Sequence, residues 1–457
     1  MTSTVRNPWN QQVLAEVPLH DRHDVDRAIA AAHHALRNTR AQPPHERAEV
    51  LLKIAAGLRE QRDAFAQTIM QEAGKPITLA EAEVGRAVVT FTAAADEARK
   101  SHAQFLDAGA YAPGIGHSAI VTRVPAGVVY GMTPFNFPLN LVAHKLAPAI
   151  ACGAPIVLKP SPRTPLSTLK LVELAQASGA IKDSVQCVNT PNELAAYAIE
   201  SDHVKVVSFT GSAPVGWKIK SLANKKKVTL ELGGNAAVIV HEDADIAPAI
   251  SMIATGAFAY AGQSCISVQR VLIHRSIYDT VRDQLVTFAR EKIKTGDPAD
   301  RATLVGPMID EASRDRLLAS IQSAQSRGAN VLLGGQMIGP CVSPALLENV
   351  PADHALCAEE AFAPVAILIA YDTFDDAIRI VNASRYGLQA GVFTHDIRRV
   401  QQAYDELDVG AVLINQTPTF RIDNLPYGGP KDSGFGREGI ASAMEEMTEP
   451  KVLIIRR

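Results

Sequence analysis

Residues 259–270 read AYAGQSCISVQR, and the cysteine in the middle is the first candidate for chemistry. A buried free cysteine ordinarily behaves as a small hydrophobe. The flanking Gly262-Gln263-Ser264 is polar and flexible, which is an unusual setting for a core residue. Cys265 is therefore a candidate nucleophile, and a nucleophile needs an activating environment and a polar group to receive developing charge. Two other positions could supply such help. Asn136 follows an apolar run, where its amide could face an oxyanion. Glu231 ends another, beside Gly233-Gly234, where a carboxylate could take a proton from water. Phe209-Thr210-Gly211-Ser212 puts a glycine and a hydroxyl ahead of a helical segment, as suits either a pyrophosphate or a simple helix cap. Gly434-Phe435-Gly436-Arg437-Glu438-Gly439 spells GxGxxG but follows a turn-rich stretch instead of a strand, so it is rejected as a dinucleotide fingerprint.

The elements that must position these residues can be read from periodicity. The first hundred residues read as helices, with apolar residues at three- and four-residue intervals over 45–72 and 79–99, broken at Gly74-Lys75-Pro76. From Gly127 onward, short apolar runs (128–132, 155–159, 184–189, 204–209, 228–232) alternate with helices, among them 141–150 and 165–177, the latter capped by Thr164. That alternation predicts βαβ units and a parallel sheet, with ligands beyond the carboxyl ends of its strands. After Gly233-Gly234-Asn235 a second alternation begins. Its helices are expected at 244–260, 277–293 and 310–325, and its strands at 268–274, 331–333 and 365–370. The terminal apolar run 451–455 needs a partner, and 119–122 can lie beside it.

The chain has 457 residues, 47% hydrophobic and 20% charged, with a net charge of −3, so two or three soluble domains are expected. There is no basic excess to suggest nucleic acid, and no apolar run suited to a membrane span. The N-terminal residues lack the apolar core of a secretion signal. The five cysteines are scattered and never spaced as CxxC, which argues against a disulfide framework or a metal site. A cytoplasmic enzyme is the expectation.

Six stretches occur together in a particular order: Thr133-Pro134-Phe135-Asn136-Phe137-Pro138, Val157-Leu158-Lys159-Pro160, Leu230-Glu231-Leu232-Gly233-Gly234, Gly262-Gln263-Ser264-Cys265, Glu359-Glu360-Ala361-Phe362-Ala363-Pro364 and Pro426-Tyr427-Gly428-Gly429. In that order they resemble the aldehyde dehydrogenase family, from about Asn7 to the C-terminus. The resemblance implies an α/β fold: a Rossmann-type parallel-sheet cofactor domain (residues 1–106 and 126–233), a second α/β catalytic domain (234–432), and a small β oligomerisation arm (107–125 and 433–457). It also implies NAD or NADP as cofactor, and a homodimer or a dimer-of-dimers tetramer.

The resemblance assigns Cys265 as nucleophile, Asn136 with the Cys265 backbone N–H as oxyanion donors, and Glu231 as general base. Losing one oxyanion donor typically costs about 3 kcal/mol of transition-state stabilisation. Lys145 and Glu438 match positions linked to proton movement. The cofactor residues implied are Thr133, Pro134, Phe135, Lys159, Ser161, Phe209, Gly211, Ser212, Gly233, Glu360 and Phe362. Where many NAD-preferring relatives carry a glutamate three residues after the lysine, this chain has Pro162 followed by Arg163, which points towards NADP and leaves use of both cofactors open.

Phe420-Arg421-Ile422-Asp423-Asn424 and Ala143-His144-Lys145 resemble the lactaldehyde, phosphonoacetaldehyde and sulfo-aldehyde branch of the family. In phosphonoacetaldehyde-type relatives, arginines matching Arg86 and Arg421 hold the substrate anion, while Phe137 and Ser264 occupy positions where those relatives carry further anion-binding groups. A small singly charged or hydroxylated aldehyde is expected. Two other readings stay open: transfer of the acyl group to coenzyme A, which the presence of Glu231 disfavours, and a non-catalytic binding protein of the same fold.

Overall fold

The computed structural model describes residues 1–100 and 103–457. Two sheets organise the chain. The first has six strands in the order Gly434–Phe435, Lys227–Glu231, Val204–Thr210, Val128–Met132, Ile156–Lys159, Val185–Cys187, and all neighbours run parallel except the short Gly434–Phe435 edge. Alternation along its strands builds two cores. Val129, Ile156, Leu158 and Val206 face Leu51, Ile54, Phe65 and Phe91. Tyr130, Val157, Val207 and Leu230 face Val25 and Ile29. A parallel sheet covered on both faces is what the near-continuous apolar runs require.

The second sheet has seven strands in the order Asn330–Leu333, Ala345–Glu348, Val365–Tyr371, Val268–His274, Ala236–Val240, Gln389–Phe393, Ala411–Ile414. It too is parallel except for the Asn330–Leu333 edge, and it too is covered on both faces, by separate apolar clusters. The terminal strand Thr448–Arg456 pairs antiparallel with His117–Pro125, with Leu453 opposite Ile120, and Gln104–Asp107 completes a three-stranded sheet. The expected pairing of 451–455 with 119–122 is therefore present. The rejected GxGxxG run contributes Gly434–Phe435 to the edge beside Leu230 and Glu231. After it, Ile440, Met444 and Met447 join the core on one face of the six-stranded sheet, and the strand Thr448–Arg456 is exposed beyond Thr448.

Several expectations are corrected. The N-terminal hundred residues are not all helical: Thr2–Arg6 and Val13–Pro18 form an antiparallel hairpin. The single helix expected over 45–72 is two, Pro44–Glu60 and Arg62–Ala73, which meet at Gln61. Thr164 does not cap the helix Leu166–Ala177; its hydroxyl is buried without a hydrogen bond. The Glu72 carboxylate takes that role from another element, accepting from the N–H groups of Leu166 (2.7 Å) and Ser167 (2.9 Å). The helix expected over 244–260 ends at Phe258, because the chain then turns through left-handed residues. Among the described residues, no helix is long and apolar enough to cross a membrane, and no cluster of side chains suits a metal ion.

Candidate active site

In the six-stranded sheet the chain winds outward in one direction from Val128–Met132 to Val185–Cys187, then crosses to Val204–Thr210 on the other side. The carboxyl ends of these two neighbouring strands therefore diverge, leaving a crevice where such folds bind ligands. Thr133–Asn136 leaves one strand there, and Gly211-Ser212 leaves the other at the start of the helix Ala213–Leu222. A cavity of about 610 Å³ extends from this crevice to the second domain. Pro134, Phe135, Asn136, Phe137, Gly211, Ser212, Glu231 and Gly233 line it from the first domain. Ser264, Cys265, Glu360, Phe362 and Arg421 line it from the second, with Arg86 and Glu438. Thr133, Lys145, Lys159, Ser161 and Phe209 lie outside its wall.

The nucleophile candidate sits on a constrained turn. Tyr260 (φ 53°), Ala261 (φ 54°) and Gly262 (φ 64°) follow one another in the left-handed region, which is costly for the two side-chain-bearing residues. Gly262 is required here, because a Cβ would stand 2.1 Å from the Ala363 carbonyl. Gly234 is required by contact with the nucleophile itself, since its Cβ would stand 2.2 Å from the Cys265 carbonyl. Gln263 fixes the turn from within: its Oε1 accepts from the Ile309 N–H at 2.8 Å, and its carbonyl accepts from Asn136 Nδ2 at 3.2 Å. That bond ties the amide to the cysteine loop and uses one of its two hydrogens, leaving the other for a ligand. Cys265 Sγ lies 3.3 Å from Tyr427 Oη. Burial pushes the thiol up to about 12, against the lowering effect of the Tyr427 hydroxyl.

Glu231 is buried at the end of Lys227–Glu231, and neither carboxyl oxygen has a hydrogen-bond partner among the described residues. Burial, and then the negative charge of Glu438, raise it well above the usual carboxylate range. Gly428 leaves it room, because a Cβ there would stand 2.6 Å from Glu231 Oε1. Glu438 is as well paired as Glu231 is not. Its Oε1 accepts from Lys145 Nζ (2.9 Å) and Thr210 Oγ1 (3.2 Å), and its Oε2 from Arg421 Nη2 (3.3 Å). Burial opposes its charge, but the Lys145 and Arg421 cations hold it low. Two buried carboxyls thus differ sharply in proton affinity, an arrangement common where acid–base chemistry is done.

The far wall carries the arginines. Arg86, 31% exposed, makes a two-pronged pair with Asp423 (Nε–Oδ2 3.0 Å, Nη2–Oδ1 2.7 Å). Arg421, 5% exposed, lies flat on Tyr427 with its guanidinium carbon 3.7 Å from the ring centroid. Asp423 also accepts from Asn140 Nδ2 (3.2 Å) and contacts His144 Nε2 (2.9 Å), and these partners together hold it below the usual range despite burial. Burial and the nearby Arg421 charge lower His144, against the raising effect of Asp423, and its Nε2 also lies 3.3 Å from Arg421 Nη2. Lys75 pairs with Glu83 and faces the rings of Phe137 (3.7 Å) and Tyr260 (4.6 Å). Tyr427, Asp423, Lys75 and Glu83 were not foreseen as site residues. Asp423 had one sequence signal, its place two residues from Arg421.

The donor set also suits a dinucleotide. Lys159 Nζ, lowered to about 8 by burial, is anchored on Asn192 Oδ1 at 3.1 Å. Glu360, raised to about 7 by burial, accepts from the Gly234 N–H at 3.0 Å. An amine and a carboxyl of this kind fit the hydroxyls of two riboses. Between them, the helix Ala213–Leu222 begins with no side-chain cap, so its first N–H groups remain available for phosphate. Phe362, itself left-handed at φ 48°, stands edge-on to Phe135 at 5.8 Å. Phe209 packs its ring against Gly211, Thr133 bonds through its N–H to the Lys159 carbonyl, and Ser161 Oγ accepts from the Arg163 N–H. The Arg163 side chain is turned to Asp310 (2.9 Å).

Comparison with known proteins places the chain in a family. The model of the aldehyde dehydrogenase family matches residues 1–453. A 3-sulfolactaldehyde dehydrogenase of Priestia aryabhattai is 40% identical over 452 residues, covering 99% of this chain and 94% of the relative. The crystal structure of aldehyde dehydrogenase 21 from Physcomitrella patens, in complex with the reaction product succinate, superposes with a TM-score of 0.97 at 39% identity, covering 100% of this chain and 95% of that one. A glyceraldehyde-3-phosphate dehydrogenase from Methanocaldococcus jannaschii complexed with NADP gives a TM-score of 0.95 at 36% identity, covering 100% of this chain and 99% of that one. Matched by the family model over residues 1–453, and by relatives at 36–40% identity over 99–100% of its length, the chain belongs to the aldehyde dehydrogenase family.

Proposed function

We propose that this enzyme oxidises a small, singly charged aldehyde to its carboxylic acid through a covalent adduct on Cys265. The observation that carries the reading is one cavity walled by Cys265, Asn136 and Glu231, with Arg86 and Arg421 beyond them. The Cys265 thiolate adds to the carbonyl carbon, and the Asn136 amide with the Cys265 N–H receives the oxyanion. NAD(P), when bound, supplies the hydride acceptor. Lys159, Ser161, Ser212 and Glu360 would hold it, with Phe135 and Phe362 about its nicotinamide end. Glu231 in its carboxylate form takes a proton from the water that cleaves the resulting thioester. In this division the six-stranded domain holds the cofactor and the seven-stranded domain supplies the nucleophile. The lack of a carboxylate at Pro162 favours NADP, although Arg163 is occupied by Asp310.

Charge balance argues for one negative charge on the substrate. Arg86 and Arg421 are cations on the cavity wall beyond Cys265, and an anionic substituent of the substrate would face them. A sulfonate or a carboxylate would bring one negative charge to them, whereas a fully ionised phosphonate would bring two into a poorly solvated cavity. Of the three similar proteins above, one is named for a sulfonated aldehyde, one is bound to the reaction product succinate, and one is named for a phosphorylated aldehyde. A panel of sulfo-, carboxy-, phosphono-, hydroxy- and unsubstituted short aldehydes, assayed with NAD and with NADP, tests the assignment. Monoanionic aldehydes are expected to exceed their neutral counterparts in kcat/KM by at least about tenfold, the value of a single charge-assisted contact of roughly 1.5–3 kcal/mol. Arg86→Met should remove that preference while sparing neutral aldehydes. Preference for the unsubstituted aldehyde would sink the reading.

The exposed sheet supports a homo-oligomer. Val452, Leu453, Ile454 and Ile455 are all exposed on the strand Thr448–Arg456, with Phe105 and Leu106 nearby on Gln104–Asp107. An apolar strand so exposed is a surface awaiting a partner. Leu453→Asp with Ile455→Asp is expected to yield a monomer in sedimentation velocity, against a dimer or tetramer for the unaltered chain. An unaltered chain that sediments as a monomer would exclude this role.

A further inference from the structure

Tyr427 holds its phenol against the candidate nucleophile. Its Oη lies 3.3 Å from Cys265 Sγ and has no other hydrogen-bond partner among the described residues. Both side chains pack with Ile266 and Leu388 in a small apolar cluster. The Tyr427 backbone is clamped by two hydrogen bonds with Glu438, N–H to carbonyl in each direction (2.9 and 2.8 Å), and its ring carries the Arg421 guanidinium. Backbone, ring and hydroxyl are therefore all fixed, and the hydroxyl has one acceptor in reach.

With the sulfur protonated, either atom can donate. With the sulfur ionised, only the phenol can, and the bond becomes charge-assisted and roughly twice as strong. A hydrogen bond that strengthens with ionisation favours the ionised form. The other charged groups around the sulfur are Glu360 and Glu231, which disfavour a thiolate, and Arg421, which favours it. Burial raises Tyr427 well above the usual phenol range, so it keeps its proton.

We propose that Tyr427 is a catalytic residue whose O–H donates to the Cys265 thiolate, favouring ionisation of the nucleophile and aiming it before the aldehyde arrives. This rests on the reading of Cys265 as the nucleophile. The thiol proton passes to water; Tyr427 keeps its own and is a donor, not a carrier.

The test is the pH profile of Cys265 alkylation by iodoacetamide, in the intact enzyme without aldehyde or cofactor, followed on the Cys265 peptide by mass spectrometry. Tyr427→Phe keeps the ring, the arginine stack and the packing. It is expected to move the profile about one unit to higher pH, slowing alkylation at neutral pH about tenfold. Replacing Tyr427 with 3-fluorotyrosine, whose more acidic O–H is a stronger donor, should move the profile the other way without altering the fold. Profiles that superimpose on the unaltered enzyme would overturn the proposal. The assay does not use turnover, so its failure is distinct from that of the nucleophile assignment, which Cys265→Ala tests separately.

Discussion

Cys265→Ala is expected to lower aldehyde oxidation by about four orders of magnitude or more, because the covalent route disappears with the sulfur. Cofactor affinity should be little changed, since Lys159 and Glu360 are held by Asn192 and the Gly234 N–H, independently of the cysteine. The controls are the other four cysteines. Cys152, Cys187, Cys341 and Cys357 are free and absent from the cavity wall, and burial raises each thiol, so each can become alanine without loss of the chemical step. Steady-state assays with cofactor-binding titrations separate these outcomes. Turnover by Cys265→Ala within tenfold of the unaltered enzyme would remove the nucleophile assignment.

Glu231→Gln should have a different signature. In the proposed mechanism, thioester formation does not need this carboxylate, but its hydrolysis does. Stopped-flow mixing should therefore show one equivalent of reduced cofactor per subunit, then a steady rate lowered by roughly 10²–10⁴-fold. The direction of the pH dependence follows from the environment. Burial and Glu438 raise Glu231, so at a pH where an ordinary glutamate is already ionised it still holds its proton. Hydrolysis in the unaltered enzyme should climb with pH through that raised value, and the climb should vanish in the glutamine variant. A variant that keeps both the rate and the climb would assign the base elsewhere. If coenzyme A accelerates product formation in the unaltered enzyme and acyl-CoA accumulates, water is not the main acceptor.

The fold was most legible where local pattern and tertiary role coincide. Val128–Met132 and Val268–His274 are buried strands along their length, with only His274 partly exposed at one end; an apolar run marks the first, whereas the second buries Gln269 and Arg270 among its apolar residues. The N-terminal hairpin escaped notice because its strands are mostly exposed, with Val5 and Val17 its buried members. The cap on Leu166–Ala177 was illegible for another reason. A local threonine satisfied the pattern, whereas the actual acceptors come from Glu72, 94 and 95 residues away. In the site, the ordered motifs drew attention to Cys265, Asn136 and Glu231, which line one cavity. Its electrostatics were hidden, because they depend on which carboxyl is paired. Nothing in the residue types distinguishes the unpartnered Glu231 from Glu438, which is bonded on both oxygens.

Glu438 touches both halves of the problem. One of its oxygens answers to Lys145 and the other to Arg421, while its charge bears on Glu231. Substrate choice and acidity optimum therefore share one counterion. A lineage that exchanged Arg421 to accept a neutral aldehyde would also unbalance Glu438, and with it the pH at which Glu231 can act. Retuning this enzyme for a new substrate thus requires a matching adjustment near Glu438, and the order of those two changes decides whether the intermediate form still turns over.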